Sequence, residues 1–182
     1  MIQRKTTKEL LGESLHELAK ERAVDQITVK EIARNCGVST VTFYHHFRDK
    51  YELIAWIFNY QMEVIFWDFA DGAESWRQVL AELIGIMGAD PNFYRNAFRH
   101  TGEQTSFFDQ ITARGIELLT EMIRKTFPER MNGELLFAIR FYVKGAAHTL
   151  VDWLESRRAC SAEELADYLF RALPTVLQPY LT

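Results

Sequence analysis

Cysteine is scarce. Only Cys36 and Cys160 occur in 182 residues, far apart and at no metal-ligand or redox spacing, which excludes a disulfide-stapled secreted scaffold and leaves a reducing, cytoplasmic compartment as the expectation. Cys36 reads as an inert buried thiol beside a turn. Nine glycines form neither a phosphate-cradling loop nor a nucleophile elbow, so the sequence holds no motif of a nucleotide-dependent enzyme or a hydrolase. No stretch of about 18 uncharged apolar residues occurs, and Gln3, Arg4, Lys5, Lys8 and Glu9 interrupt any signal-like N-terminal run. No membrane span is expected. A basic surplus is missing too: the net charge is -4. Residues 1–50 nevertheless carry nine Lys and Arg against seven Asp and Glu, and the remainder 12 against 18. One end of the chain can therefore approach phosphates while the other avoids them.

The apolar share of 48% suffices for a real core, and its periodicity is helical throughout. The most informative stretch is Ile27 to Leu53, ITVKEIARNCGVSTVTFYHHFRDKYEL. Thr28 and Glu31 form a capping box that starts a helix at Val29. Gly37 supplies the positive φ of a helix stop. Ser39 caps a second helix, Thr40 to Phe47, in which Phe43 and Phe47 share a buried face. Its other face carries Thr40, Val41, Thr42, Tyr44 and His45, groups suited to base edges and phosphates in a major groove. Asp49 and Glu52 form a further capping box and start a long helix at Lys50. Two short helices around a tight turn constitute a helix-turn-helix.

As a unit, this stretch resembles the DNA-binding domain of the TetR family of transcriptional regulators. The resemblance implies an all-α protein of about nine helices, divided into a DNA-binding domain over residues 1–50 and a helical regulatory and dimerisation domain over 51–182. It implies DNA contacts by Thr28, Lys30, Ser39, Thr40, Val41, Thr42, Tyr44, His45 and Lys50, with Lys50 on a phosphate. The run FYHHFRDKYELIAWIF, Phe43 to Phe58, is similar to the branch that regulates dihydroxyacetone kinase operons, some members of which activate with a kinase-like partner protein. Phe93 to Phe98 with Gly102 to Phe107 resembles a C-terminal domain of Firmicutes-type members.

Along the chain, Leu11, Leu15 and Leu18 mark a scaffold helix whose opposite face, with Lys8, Glu13, Glu17, Lys20 and Glu21, is expected in solvent. Arg4 and Lys5 suit a basic arm. From Lys50 to about Phe69, the stripe Leu53, Ile57, Tyr60, Val64 and Trp67 reads as core. Ser75 caps a helix to about Met87, Asn92 to His100 is a short one, Thr101 to Thr105 a loop, and Ser106 begins a helix reaching Lys125 that Pro128 closes. Glu134 to Ser156 is a long apolar helix with one polar stripe, Arg140, Lys144, His148 and Asp152, and a Gly145-Ala146-Ala147 stretch that lets a neighbouring helix come close. Ser161 and Glu164 cap a last helix to about Leu177, with Leu165, Tyr168, Leu169, Ala172 and Leu173 on its apolar side and Pro174 and Pro179 limiting it. In the resembled family, the last two long helices pair with those of a second copy.

Enzymatic readings find no support. His45 and His46 diverge by about 100° on a helix, so no metal is expected, and His148 with Asp152 lacks a nucleophile. No cofactor is expected either. The expected function is a cytoplasmic, sequence-specific regulator, a repressor binding a palindromic duplex operator as a homodimer under small-molecule control. The alternative is a co-activator working through a kinase-like protein. Trp56, Tyr60, Phe93, Phe107, Tyr142 and His148 are the expected walls and anchor of the effector site.

Overall fold

The computed structural model describes residues 5–70, 72, 75–99, 107–156 and 160–182. Among them every regular element is helical. Arg4, the loop expected at 101–105 and the helix start expected at Ser106 lie outside the described residues. Among the described residues ten α-helices occur: α1 Thr7–Ala19, α2 Val29–Asn35, α3 Thr40–His46, α4 Lys50–Ala70, α5 Trp76–Ala89, α6 Pro91–Arg99, α7 Phe107–Thr126, α8 Gly133–Glu155, α9 Ala162–Arg171 and α10 Gln178–Leu181. Short 3-10 turns follow α1 and α7, at Val24–Gln26 and Pro128–Arg130. None of these helices is long and apolar enough to cross a membrane.

Local capping chemistry sets most of the starts. Thr28 with Glu31, Ser75 with Gln78 and Ser161 with Glu164 close reciprocal capping boxes, as does Thr6 with Glu9, while Ser39 and Asn132 cap one-sidedly. Each satisfies backbone donors that a helix leaves open. At α4 the expected box is altered. Asp49 Oδ1 accepts the amides of Tyr51 and Glu52, both at 2.8 Å, but the Glu52 carboxylate reaches back to the amide of Arg48, at 2.6 Å. The helix expected to run to Leu177 ends at Arg171. Pro174 explains the stop, since the residue before a proline is pushed out of helical backbone.

The chain divides into two compact units, one holding residues up to Phe58 and the segment from Asn92 to Phe107, the other Asn59–Pro91 and Phe108–Thr182. In the first, Leu11, Leu15, Ile32, Ala33, Phe43, Phe47 and Leu53 are buried together. Gly12 lets α1 and α4 touch, because a Cβ there would lie 3.2 Å from Ile57 Cγ1. Buried Ser14 donates its hydroxyl to the carbonyl of Ile32, at 2.8 Å, fastening α1 to α2. Lys8, expected in solvent, instead holds its ammonium over the rings of Phe47 and Trp56, at 5.6 and 5.8 Å. Its aliphatic stem covers apolar surface while the charge meets two ring faces.

In the second unit α5 lies along α9, with Arg77 paired to Asp167. Tyr142 on α8 is the polar tie of this core. Its hydroxyl donates to the carbonyl of Leu169 at 3.0 Å and accepts from Trp76 Nε1 at 3.4 Å. Within the chain no neighbour comes close at Gly145, where an added Cβ meets nothing within 4 Å, whereas at Gly115 it would stand 3.2 Å from Val143 Cγ1. The stripe expected in the core of α4 is also revised. Leu53 and Ile57 are buried, but Tyr60, Val64 and Trp67 are about half exposed, and Met62, Ile65 and Phe66 take the buried positions. Tyr168, assigned to the apolar side of α9, is likewise exposed.

Candidate nucleic-acid interface

Two short helices and a turn build the interface. α2 ends at Asn35 with Cys36 as its C-cap, and Gly37 takes the left-handed conformation, with φ at 74°. Val38 then turns back, its amide bonding the carbonyl of Ala33 at 2.9 Å. Ser39 accepts the amide of Thr42 at 3.0 Å and shares a hydroxyl bond with Thr42, fixing the first turn of α3. Phe43 and Phe47 are buried, so the rotation of α3 about its axis is set by core packing. That rotation turns Val41 and Tyr44 outward, 64% and 59% exposed, with His45 and His46 exposed beside them. Thr40 and Thr42 are half-buried. Exposed valine and tyrosine side by side on a seven-residue helix leave apolar surface in water without any gain to the fold. They match the methyl groups and edges displayed in a major groove.

At the start of α2, Lys30 is exposed and Thr28 is committed to its cap. The Glu31 carboxylate accepts from the Thr28 amide and hydroxyl, each at 2.8 Å, and from Arg22, also at 2.8 Å. Those donors hold its pKa down at about 2, the Thr28 backbone bond contributing most.

Lys50 also has partners within the chain. Its ammonium, assigned to a phosphate, donates to the carbonyls of Val24, Asp25 and Ile27, at 2.7, 3.0 and 2.8 Å. An ammonium has three protons, one for each of these acceptors. Burial lowers its pKa, against the opposing pull of Asp25. Beside it Tyr51 donates its hydroxyl to Asp25 Oδ1 at 2.7 Å.

The residues expected to wall an effector site are divided between the two units, Trp56, Phe93 and Phe107 in the first and Tyr60, Tyr142 and His148 in the second. Phe93 and Phe107 are buried in an aromatic cluster of the first unit with His16, Phe58, Tyr94 and Phe98. Trp56 is under Lys8. In the second unit Tyr60 is exposed and Tyr142 buried, its hydroxyl pushed up to about 12 by burial. His148 is exposed on another face of α8, its ring 4.4 Å from that of Phe108. Arg140, Lys144 and Asp152 are exposed too, so the polar stripe expected on a mostly buried helix faces outward. Among the described residues no three His, Cys, Asp or Glu side chains gather as a metal site would require.

Sequence reading missed the Lys50 cage, the Ser14 tie and the Lys8 ring contact. Their partners lie 18 to 26 residues away for the hydrogen bonds, and backbone carbonyls leave no sequence signature.

Comparison with known proteins agrees with this geometry. The profile described as "Bacterial regulatory proteins, tetR family" matches residues 13–57, and that described as "Transcriptional regulator C-terminal region" matches residues 74–175. Among solved structures, a TetR transcriptional regulator from Rhodococcus sp. RHA1 is similar with a TM-score of 0.69 at 20% identity, over 94% of this chain and 96% of that one. FadR of Thermus thermophilus, a repressor in complex with lauroyl-CoA, gives 0.64 at 17%, over 96% and 95%. The dihydroxyacetone kinase operon activator DhaS gives 0.62 at 19%, over 97% and 98%. At these identities the structures attest to a shared fold, and the kinase-operon branch gains no more than that. With a helix-turn-helix whose outer face is free and both halves of the chain matched, the protein belongs to the TetR family of DNA-binding transcriptional regulators.

Proposed function

We propose that the protein is a repressor that binds a pseudo-palindromic operator as a homodimer and leaves it in response to a small molecule. The observation that carries this reading is the outward face of α3, where Val41 and Tyr44 stand exposed on a helix locked by Phe43 and Phe47. One such helix spans only a few base pairs, so useful specificity needs two copies reading half-sites about 34 Å apart.

The second unit supports pairing. Phe137 and Phe141 on α8 are 69% and 67% exposed, and their rings stack at 6.1 Å. Tyr168 is exposed on α9. Gly145, one turn beyond Phe141, leaves open space above the helix. A second copy presenting the same surface covers all four positions in an isologous contact. A dimer seated on its operator blocks that DNA without further parts, which favours repression. Control by a small molecule is supported by the similarity to the FadR structure solved with lauroyl-CoA.

Selection of bound fragments from a random DNA pool, followed by sedimentation of the complex, tests the reading. The expected result is an inverted repeat bound by two protomers. An enriched site without twofold symmetry, or a single protomer per site, overturns it. Co-purification of a kinase-like protein required for binding favours the co-activator instead.

A further inference from the structure

Within the second unit, α7 faces the last turns of α4. Glu63 pairs with Arg114 at 2.8 Å, and a Cβ at Gly115 would touch Met62 Sδ at 3.8 Å, so the two helices are in contact there. Beyond that contact, toward the C-terminal ends of both, a cavity of about 240 Å³ lies between them. Its inner walls are Phe66 and Leu118, only 6% and 5% exposed. Phe66 is fixed in turn by Trp76, which meets it edge-on at a ring distance of 5.4 Å. Met122 adds apolar lining, and Ala70, with its single methyl, leaves the space unfilled.

The rim is different in kind. Trp67 is 52% exposed, an indole left in water without gain to the fold. The Lys125 ammonium stands over its ring, 4.9 Å from the centre. Glu121 precedes Lys125 by one turn of α7, the spacing at which a glutamate and a lysine ordinarily pair. Lys125 is turned to the indole instead, and among the described residues no carboxylate lies within ion-pair distance of it. An ammonium held at the mouth of an apolar cavity and paired to no acid is suited to the head of an anion, with the walls behind it suited to an apolar body. A ligand cation meets a ring face that already holds positive charge. A second carboxylate on the ligand meets Glu121.

We propose that this cavity binds an organic monocarboxylate with an apolar body, the carboxylate on Lys125 and the body against Phe66, Leu118 and Met122 beside the Trp67 ring. The inference deepens the control by a small molecule proposed above and rests on that reading for its effect on DNA. α4, which supplies Phe66, Trp67 and Ala70, begins just after α3 ends at His46, so the ligand binds the helix that follows the reader.

The test titrates the full-length protein by calorimetry, without DNA, with three compounds that share one ring and chain and differ in the head: 3-phenylpropionate, 3-phenyl-1-propanol and 3-phenylpropylamine. The acid is expected to bind at least about fivefold more tightly than the alcohol, between the scales of an exposed and a desolvated charge pair, and the amine most weakly. Lys125→Met is expected to erase the acid's lead over the alcohol, and Lys125→Arg to keep it. Ala70→Leu, at an exposed helix position, is expected to weaken acid and alcohol alike by about tenfold, because the added carbons occupy the cavity. Circular dichroism verifies that each variant is folded. Tightest binding of the amine overturns the proposal, as does an acid that binds Ala70→Leu as well as the wild type, or no heat from any of the three up to its solubility. A separate titration of the protein on its selected operator reads the effect on DNA. Release at the concentration where the acid binds supports the effector role, and binding without release refutes that role while leaving the site in place. If the protein prefers no DNA sequence, the regulatory reading fails and the calorimetry still decides the site.

Discussion

At Tyr44 the proposed recognition role can be tested apart from stability. It is 59% exposed and meets Phe43 edge-on at a ring distance of 5.6 Å, so its removal leaves the core intact. Tyr44→Ala is expected to change the urea midpoint little, by less than about 0.5 kcal/mol, and to cost roughly 1 to 3 kcal/mol in operator affinity. Titration of a labelled operator checks this, and unchanged affinity removes Tyr44 from the interface. Glu31 behaves in the opposite way, serving the fold through a charge. Its folded pKa of about 2 lies below the ordinary carboxylate range, near about 4.3. The cap's stabilisation is therefore complete above that range and fades as acid protonates the carboxylate on the way down to about 2. The difference in urea midpoint between wild type and Glu31→Gln is expected to be constant from neutral pH to about 5 and to vanish toward pH 2. Because the carboxylate is exposed, added salt should shrink it. A difference independent of pH sinks this account.

Two glycines in helix interiors carry opposite forecasts. Gly115 is buried where α7 meets Val143 of α8, at 3.2 Å from the position a Cβ would take. Gly115→Val is expected to overpack the contact and cost about 1 to 3 kcal/mol. Gly85 in α5 has open space around its Cβ position, so Gly85→Ala should stabilise the protein by about 0.5 to 1 kcal/mol through helix propensity. Thermal unfolding of the pair checks the sign as well as the size. Elements were legible in the sequence wherever their causes are local. Thr28 with Glu31, Ser39, Gly37 and Ser161 with Glu164 each act within a turn of the backbone they stop or start, and each stands where expected. What an element faces was less legible. Along α4, Tyr60, Val64 and Trp67 are as apolar as the residues that are buried, and only packing by neighbouring helices, as of Trp76 of α5 against Phe66 at a ring distance of 5.4 Å, chooses Met62, Ile65 and Phe66 for the interior. Glu63 shows one such contact directly, paired with Arg114 of α7 at 2.8 Å. Where the expected effector walls lie was not legible for the same reason: aromatic type marked Phe93 and Phe107 as useful, but nothing in the sequence placed them in the first unit's core.

For the whole molecule, assembly is the property to test. Replacing Phe137 and Phe141 together by lysine removes two rings per protomer from the proposed contact. At about 1.5 to 3 kcal/mol for each buried phenyl, the dimer is expected to weaken by more than about a hundredfold, with helix content unchanged. Gly145→Leu serves as a second probe, because open space above that residue within the chain means added bulk can only obstruct a neighbour. Sedimentation over a dilution series checks both, and unaltered dimers move the contact elsewhere. The stacked phenyl pair on α8 also bears on dosage. If two chains must meet before either reads DNA well, then below the dissociation constant the concentration of competent reader rises as the square of the number of chains made. Halving expression quarters it. A pair of aromatic rings facing water would then make the cell's own supply of this protein a variable of the proposed switch.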